Sequence, residues 1–304
     1  MLYSKLGKSD LQVSKIGFGC MSLQGNTTTD AKTVKRALEL GINYFDTADL
    51  YDKGENESRI GALLKADRHH AVIATKVGNK WRPDGSGWDW SANKTHIITA
   101  VEESLKRLQT DYIDLYQLHG GMMEDPIDEI IEAFEQLKAA GKIRYYGISS
   151  IRPNVIREYV KRSNMVSVMM QYSLLDRRPE EESLQLLQEH GIGVVTRGSV
   201  AQGLLVNKPA KDYLGWTASE VAQAASAIHS VTDAAVTAPR TGSAAQTAIR
   251  FALHHTAVSS AVIGIRTIAQ LEDAAGAADL GPLSDTEINI LQDAAQPKYY
   301  TEHR

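Results

Sequence analysis

The chain contains a single cysteine, Cys20, among its 304 residues. One cysteine can form neither an internal disulfide nor a metal site built from several thiolates. No excess of positive charge indicates a nucleic-acid partner, because 33 Lys and Arg residues stand against 37 Asp and Glu residues, with no run of one sign. No apolar run approaches the roughly 20 residues of a membrane span, and the first residues lack the apolar core of a signal peptide. We therefore expect a cytoplasmic protein that binds neither nucleic acid nor membrane.

Internal repeats, linkers and low-complexity blocks are also missing. Hydrophobic residues make up 43% of the chain and can fill a large core, so residues 1–304 are predicted to form one domain. No Gly-x-Gly-x-x-Gly motif follows a predicted strand, which excludes the usual dinucleotide-binding fingerprint. The histidines at 69, 70, 254 and 255 lack the partners of a metal site, and no metal is predicted.

What the sequence does contain is an alternation of short apolar runs, rich in β-forming residues, with helical patterns. This alternation is typical of βαβ units and a parallel sheet. The runs predicted as strands cover 15–19, 42–46, 71–76, 113–119, 143–148, 166–171, 193–196 and 261–264. The sequence therefore predicts an α/β protein, a (β/α)8 TIM barrel with an N-terminal β-hairpin over 1–14 and C-terminal helices near 268–277 and 284–294.

Capping residues position several of the helices. Asp30 is predicted to open a helix that stops at Gly41. Asp125 is predicted to cap another helix, with Pro126 in its first position and Gly141 after its end. Further helices are predicted over 57–64, 98–108, from 153 onward, and over 180–189, 219–228 and 243–254, with a loop over 237–242.

Residues 78–92 interrupt this rhythm with a long segment that holds three of the four tryptophans, Trp81, Trp88 and Trp90. Long segments without secondary structure in a compact domain are usually functional or disordered, and tryptophans argue against disorder. Because pockets are usually lined by aromatic side chains, this loop is predicted to form a wall or lid of a pocket. The plainer alternative is that the tryptophans only anchor the loop.

Four side chains with acid–base chemistry follow the ends of successive predicted strands: Asp46, Tyr51, Lys76 and His119. In a barrel these ends meet at one face, so the four side chains would converge. A phenol normally has a pKa of about 10, and a nearby ammonium group would lower the pKa of Tyr51 and make it a usable general acid. Asp46 would keep Lys76 charged, and His119 could donate a hydrogen bond to a carbonyl oxygen. The group is suited to protonating an oxyanion as it forms.

No side chain can supply a hydride, so a cofactor is expected, with nicotinamide as its reactive group. Barrels commonly bind phosphate after their seventh and eighth strands. There the chain has a segment that begins Arg197-Gly198-Ser199 and a segment Gly264-Ile265-Arg266-Thr267. Both hold glycine for close backbone approach, hydroxyl groups, and an arginine that can bind phosphate through two N–H groups.

These segments together resemble the aldo-keto reductase family over nearly the whole chain. The segments that carry the resemblance begin at Gly17-Phe18-Gly19, Phe45-Asp46-Thr47-Ala48, Thr75-Lys76-Val77-Gly78, Asp114-Leu115-Tyr116-Gln117, Gly147-Ile148-Ser149, Gln171-Tyr172-Ser173 and Ile263-Gly264-Ile265-Arg266. The resemblance implies an NADPH-dependent reductase of aldehydes and ketones on a (β/α)8 barrel. The four acid–base residues match the family's catalytic tetrad, with Tyr51 as the acid.

The resemblance also implies a set of cofactor contacts. The residues expected to bind the cofactor are Gly19, Met21, Ser149, Ser150, Gln171, Tyr172, Arg197, Gly198, Ser199, Gln202, Gly203, Leu204, Gly264, Arg266, Gln270 and Asp273. Of these, Ser149 and Gln171 match positions that hold the nicotinamide carboxamide, and Arg266 matches the partner of the 2′-phosphate, which favours NADPH over NADH. Ser150 departs from the family, which usually has Asn there, and Asp273 stands where the family usually has Glu. The residues expected to line the substrate pocket are Cys20, Trp81, Trp88 and Trp90.

Several other interpretations are compatible with the same residues. Tyr51 could be an ordinary half-buried tyrosine, His119 a core histidine, and Lys76 a purely structural partner of Asp46. The protein could be an NADPH-sensing regulatory subunit of the same fold with little turnover. It could also be a Schiff-base aldolase with Lys76 as nucleophile, although pairing with Asp46 would raise the pKa of Lys76 instead of depressing it.

The sequence leaves the substrate and the assembly open. A small-molecule carbonyl compound is the expected partner, and the aromatic residues near the expected pocket indicate an apolar or aromatic one. The protein is expected to be a monomer or a weak homo-oligomer.

Overall fold

The computed structural model describes residues 1–234 and 242–304, and eight parallel strands form a closed barrel at its centre. In chain order the strands are β1 (Tyr3–Lys5), β2 (Gln12–Ser14), β3 (Ile16–Gly19), β4 (Tyr44–Asp46), β5 (Val72–Val77), β6 (Asn79–Trp81), β7 (Trp88–Trp90), β8 (Ile113–Leu118), β9 (Ile143–Ser149), β10 (Ser167–Gln171), β11 (Gly193–Arg197) and β12 (Val258–Gly264). The helices are α1 (Thr27–Glu39), α2 (Glu55–Leu64), α3 (Lys94–Leu108), α4 (Ile127–Ala139), α5 (Pro153–Arg162), α6 (Ser183–Glu189), α7 (Ala218–Ala234), α8 (Ala244–His254), α9 (Ile268–Gly276) and α10 (Asp285–Ala294).

The barrel runs in the order β3-β4-β5-β8-β9-β10-β11-β12 and closes by pairing β12 with β3. Its strands are covered on both faces, and every residue of Val72–Val77 is buried. This explains why the barrel strands appear in the sequence as continuous apolar runs instead of alternating patterns. The predicted (β/α)8 barrel, its N-terminal hairpin and its C-terminal helices are confirmed.

The helices cover the barrel with apolar residues repeated at helical spacing. In α4 the buried side chains include Ile127, Ile130, Phe134 and Leu137. The ring of Phe134 stacks on Tyr146 of β9, with ring centroids 5.2 Å apart. A period of 3.6 residues turns one apolar stripe toward the sheet and leaves the acidic and amide side chains of the helix outside. No helix among residues 1–234 and 242–304 is long and apolar enough to cross a membrane.

The hairpin β1–β2 closes the barrel at the end where the strands begin. Leu6, Leu11 and Val13 are buried there against Tyr44, Val166 and other residues that point into the barrel. Gly7 forms the turn with a φ of +54°, and a β-carbon on it would lie 2.3 Å from the carbonyl oxygen of Val166. Only glycine fits this position, because the turn presses directly against the strand ends.

Two predicted helix caps are wrong. Helix α1 begins at Thr27, and its cap is Asn26, whose side chain accepts a hydrogen bond from the Thr29 N–H. Asp30 instead turns back, and its carboxylate accepts from the N–H groups of Gln24 and Gly25. An acidic residue in the first turn of a helix can be mistaken for a cap, since both positions favour negative charge.

The second wrong cap is Asp125. Helix α4 begins at Ile127, and Pro126 occupies the cap position instead of the first helical position. The carboxylate of Asp125 accepts hydrogen bonds from the indole N–H of Trp90 and from the backbone N–H of Met122. These bonds hold the carboxylate in the loops, and no side chain of the described residues caps α4.

The segment 78–92 is an antiparallel ribbon instead of a loop. Strands β6 and β7 pair with Trp81 opposite Trp88, and Gly85 turns the chain with a φ of +71°. An ion pair between Arg82 and Asp89 bridges the two strands at 2.6 Å. Two of the three tryptophans predicted to wall a pocket, Trp81 and Trp88, therefore form a cross-strand pair, which is a common stabilising unit of a β-ribbon.

The remaining differences concern boundaries. Helix α7 spans 218–234, longer than the predicted 219–228, and β12 begins at Val258 instead of 261. Helix α6 begins at Ser183, because a 3₁₀ turn occupies Arg178–Glu181. The predicted loop over 237–242 lies outside the described residues except for Gly242.

Candidate active site

The four acid–base residues meet at the C-terminal ends of three neighbouring strands. Asp46 is the last residue of β4, and Lys76 lies near the end of β5, which pairs with β4. His119 directly follows β8, and its N–H bonds the carbonyl oxygen of Val77. Tyr51 begins a 3₁₀ turn, Tyr51–Gly54, in the connection after β4. The barrel thus brings together residues that are up to 73 positions apart in the chain.

Lys76 forms a buried ion pair at the centre of this group. Its Nζ donates to Oδ1 of Asp46 at 2.6 Å and to the carbonyl oxygen of Thr47 at 2.7 Å. The Lys76 side chain is only 1% exposed. Burial by itself would lower the pKa of Lys76, but the carboxylate of Asp46 and the neighbouring Tyr51 together hold this pKa above its ordinary value. Lys76 is therefore a fixed positive charge at neutral pH.

Tyr51 and His119 lie above this ion pair. The Nζ of Lys76 is 5.2 Å from the centre of the Tyr51 ring. The rings of Tyr51 and His119 meet edge to face, with centroids 5.9 Å apart. Burial, followed by the positive charges of Lys76 and Arg197, lowers the pKa of His119 to about 3. His119 is therefore neutral at physiological pH, and its Nδ1 has no hydrogen-bond partner among the described residues.

A cleft of about 810 Å³ opens above these side chains. Of the residues predicted to touch cofactor or substrate, those that line the cleft are Gly19, Met21, Trp88, Trp90, Ser149, Ser150, Arg197, Gly198 and Gly264. They come from loops after strands on opposite sides of the barrel. The cleft is large enough for a small-molecule ligand of ordinary size.

Eleven predicted contact residues do not line the cleft, and three of them, Cys20, Trp81 and Tyr172, have other contacts. Cys20 is completely buried in the core, where burial raises the pKa of its thiol well above the ordinary value. Trp81 donates its indole N–H to the carbonyl oxygen of Leu50 and lines a separate cavity of about 470 Å³. Tyr172 is buried, and its hydroxyl donates to Glu180. Their side chains point away from the cleft because packing behind the strand ends takes priority over exposure.

The segment predicted to hold pyrophosphate follows β11. Ser199 and Leu204 are buried, and Ala201 and Gln202 adopt left-handed backbone angles with φ of +46° and +58°. Such angles are uncommon outside glycine and mark a turn that the surrounding structure holds in place. The adjacent Gly203 also has a positive φ of +90°. This turn lies beyond the cleft wall formed by Gly198.

The segment after β12 forms the N-terminal end of α9. Thr267 caps the helix by accepting from the N–H of Gln270, and the Gln270 side chain accepts from the N–H of Arg266. The Arg266 guanidinium is exposed beside this helix end. Asp273 lies further along the helix, and its carbonyl oxygen accepts from Gln246. A helix N-terminus next to an exposed arginine favours an anion.

The cleft has more lining residues than those named individually from the sequence. The cleft is also lined by Ser22, Leu50, Asn79, Gly120, Gly121, Met122, Ile151, Arg152, Met169, Val262 and His303. Arg152 could have been predicted from the sequence, because it comes shortly after the end of β9. Lys76 and His119 have similar positions at the ends of their own strands. His303 lies in the C-terminal segment, which the tertiary structure brings to the cleft.

A model of the aldo/keto reductase family matches residues 15–296. The chain belongs to the aldo/keto reductase family.

Two similar proteins cover this aldo/keto reductase over nearly its full length, and a third covers about two thirds of it. An oxidoreductase of Bacillus subtilis, YqkF, is 49% identical over 99% of this chain and 98% of its own. The structure of aldo-keto reductase AKR11C1 from Bacillus halodurans, holo form, has a TM-score of 0.92 and 48% identity over 100% of this chain and 99% of its own. An NADH-specific methylglyoxal reductase of Escherichia coli is 33% identical over 69% of this chain and 70% of its own. The protein is therefore an oxidoreductase of a family that uses nicotinamide cofactors.

The cleft of this aldo/keto reductase has features that fit such a cofactor. Arg197 and Arg266 have no carboxylate within ion-pair distance among the described residues, so their guanidinium groups are open to phosphate. Gly264 is exposed, and a β-carbon there would come no closer than 4.0 Å to a neighbour, which leaves the backbone open to close approach. The unpartnered Nδ1 of His119 adds an orphaned polar atom at the reactive end.

Proposed function

We propose that the protein catalyses NADPH-dependent reduction of aldehydes and ketones to alcohols, with Tyr51 as the proton donor. The observation that carries the proposal is the buried ion pair between Lys76 and Asp46, 2.6 Å long, directly beneath Tyr51. A buried lysine is costly unless it is paired, so its retention at this position supports a chemical role. The neutral His119 is the fourth residue of the site and can donate a hydrogen bond to the carbonyl oxygen.

The chain's own residues can bind a carbonyl and deliver a proton to it. Neutral His119 donates its N–H to the carbonyl oxygen and fixes the orientation of the C=O bond. Bound NADPH supplies the hydride that reduces the carbonyl carbon. Tyr51 releases its hydroxyl proton to the oxygen as negative charge develops there. The ammonium of Lys76, held in place by Asp46, stabilises the phenolate that remains on Tyr51.

The preference for NADPH over NADH is proposed from Arg266. Its guanidinium is exposed beside the N-terminus of α9 and can bind a 2′-phosphate through two N–H groups. The family by itself does not decide this preference, since the relative from Escherichia coli is described as NADH-specific. The choice therefore rests on the residues of this chain near the adenosine end of the cleft.

A Schiff-base aldolase is disfavoured by the same ion pair. Its nucleophile would have to be a neutral amine, and that requires a lowered lysine pKa. Here Asp46 and Tyr51 raise the pKa of Lys76, so the neutral amine is scarce at physiological pH.

The experiment is a comparison of the parent with Tyr51→Phe in NADPH binding and in NADPH oxidation. Protein fluorescence reports binding, and absorbance loss with an activated aromatic aldehyde reports turnover. We expect Tyr51→Phe to lower kcat by roughly 10²- to 10⁴-fold, the usual share of a general acid, while the Kd for NADPH changes little.

The exposed Tyr299 provides a control, and Tyr299→Phe should keep the parent rate. NADH in place of NADPH tests the cofactor preference, with weaker binding expected. Tight NADPH binding without oxidation of any carbonyl compound would favour the regulatory-subunit alternative. Turnover by Tyr51→Phe at the parent rate would refute the role of Tyr51.

A further inference from the structure

Arg152 lies at the mouth of the cleft, between the end of β9 and the start of α5. It is half-buried, and its Nη1 donates to the carbonyl oxygen of Gly121 in the loop that follows His119. Its backbone N–H bonds the hydroxyl of Ser150. These contacts fix the backbone of Arg152 and one edge of its guanidinium. The guanidinium therefore lies next to the loop that follows His119, the residue proposed to bind the carbonyl group.

The guanidinium of Arg152 has no carboxylate within 4.0 Å among the described residues. Arg157, one turn further along α5, shows the contrast, because it is paired with Glu182. A half-buried arginine without a counterion leaves part of its hydrogen-bonding capacity to solvent or to a ligand anion. In Arg152 the N–H groups on Nε and Nη2 are available to bond solvent or a ligand anion.

The charge of the cleft is positive at this end. Among the described residues that line it, Asp46 is the single carboxylate, and Lys76 neutralises it. Arg197 is the second cation of the lining, but it follows β11 and bonds the side chain of Gln171 on the side of the predicted cofactor contacts. Arg152 is therefore the cation left for the substrate.

Apolar side chains line the cleft together with Arg152. They are Trp88, Trp90, Met122 and Ile151, of which Met122 follows the Gly121 that Arg152 contacts and Ile151 directly precedes Arg152. Trp90 lies against the backbone of the loop, and a β-carbon on Gly120 would come within 3.1 Å of its ring. The cleft thus offers an apolar wall beside one cation, which suits a ligand with an apolar body and one anionic end.

From these observations we infer that Arg152 selects carbonyl substrates that carry a carboxylate group. A planar carboxylate matches the free edge of a guanidinium through two parallel hydrogen bonds. The single charge of a carboxylate matches one unpaired guanidinium better than the double charge of a phosphate, and no lysine lines the cleft among the described residues to supply a second cation. The inference rests on the proposed reductase function, since it concerns which carbonyl compounds that reaction takes.

The test uses two aldehydes that differ in charge and share the same ring: 4-carboxybenzaldehyde and its methyl ester. The quantity measured is the ratio of kcat/KM for the acid to kcat/KM for the ester, with NADPH saturating. In the parent this ratio should exceed one and fall as salt is added, because exposed charge pairs are screened. In Arg152→Gln it should drop by about 10- to 100-fold, the usual worth of a hydrogen bond to a charged group.

Two further variants separate charge from folding. Arg152→Lys keeps the positive charge without the planar fork, so it should retain part of the preference. Arg157→Gln removes a neighbouring arginine that does not line the cleft, and it should leave the ratio at the parent value. An equal loss for acid and ester in Arg152→Gln would mean that Arg152 only holds the Gly121 loop, and would overturn the inference.

The remaining outcomes are distinguishable from failure of the proposed function. If the parent oxidises NADPH with neither aldehyde nor any other carbonyl compound, the reductase proposal fails. If the parent reduces both but Arg152→Gln keeps the parent ratio, the reductase proposal stands and the role of Arg152 is refuted. The ratio of kcat/KM for glyceraldehyde 3-phosphate to kcat/KM for glyceraldehyde is measured in the same two proteins. If Arg152→Gln lowered this ratio more than it lowered the acid-to-ester ratio, the assignment to carboxylates would be overturned.

Discussion

Lys76 and His119 show how one environment acts differently on two bases. Both side chains are buried, and burial disfavours the charged form of each. Lys76 keeps its proton because Asp46 lies 2.6 Å from its Nζ. Within residues 1–234 and 242–304 His119 has no carboxylate partner, and it faces the charge of Lys76, so it loses its proton. The site therefore holds one fixed cation and one neutral imidazole, and the proposed carbonyl reduction depends on both.

The low pKa of His119 makes stability depend on pH. The pKa falls from 6.5 to about 3 on folding, so between these values the unfolded chain binds a proton at this position and the folded chain does not. Stability contributed by this group is present above pH 6.5 and is lost as the pH falls. In His119→Asn that loss disappears, and from pH 7 to pH 5 the variant should lose about 2 kcal/mol less stability than the parent.

Urea denaturation of the parent and of His119→Asn at pH 7, 6 and 5 measures this difference. The free energy of unfolding should fall more steeply with decreasing pH in the parent than in the variant. Parallel pH dependences for the two proteins would show that His119 titrates normally in the folded state.

The ribbon β6–β7 and the loop 120–125 act together as elements that wall the cleft. The carboxylate of Asp125 joins them, because it accepts from the indole of Trp90 at 2.8 Å and from the N–H of Met122 at 2.7 Å. The edge of Trp90 also rests on Gly78 and Gly120, where any side chain would collide with it. These contacts hold the ribbon and the loop 120–125 in a fixed position relative to each other.

Asp125→Ala should loosen this wall without touching the four acid–base residues. Loss of the two hydrogen bonds should raise KM for a bulky aromatic aldehyde by roughly 3- to 10-fold, the usual net effect of a hydrogen bond, and should change KM for acetaldehyde less. Steady-state kinetics with the two aldehydes measures the contrast.

A matched control exists on the same ribbon. Asp89→Ala removes an exposed ion pair with Arg82 that does not line the cleft, and exposed pairs contribute little. It should leave both KM values at the parent level. If Asp125→Ala affected the two aldehydes equally, the wall would not be the cause.

At the scale of the whole molecule, the barrel separates stability from chemistry. The hairpin β1–β2 closes the end where strands begin, with Leu6 completely buried. The acid–base residues lie at the opposite end, where strands finish. Because the interior between the two ends is filled by side chains, a change at the closed end has little reason to move the reacting groups.

Leu6→Ala tests this separation. Removing a fully buried leucine side chain should lower the free energy of unfolding by about 2–5 kcal/mol, and kcat/KM at 25 °C should stay close to the parent value. Urea denaturation and NADPH-linked assays measure the two quantities. Leu2→Ala is the control, since Leu2 is 56% exposed and should cost little stability. A large loss of activity in folded Leu6→Ala protein would show that the two ends are coupled.

The sequence by itself determined the barrel and the positions of its reactive residues. The alternation of apolar runs and helical stripes depends on local periodicity, so strands such as β5 and β8 were predictable to within one or two residues. Reactive residues at strand ends follow from the same periodicity, and this is why Asp46, Lys76 and His119 were predicted together.

Only the tertiary structure decided where each side chain points and what it bonds. Asp125 satisfies a cap pattern in sequence, but its partners are Trp90 and Met122, which come close only when the barrel forms. Cys20 follows a strand end like the cleft residues, yet it is turned inward and is fully buried. Hydrogen-bond partners and burial depend on contacts between distant segments, and these contacts are a property of the packed chain instead of its local pattern.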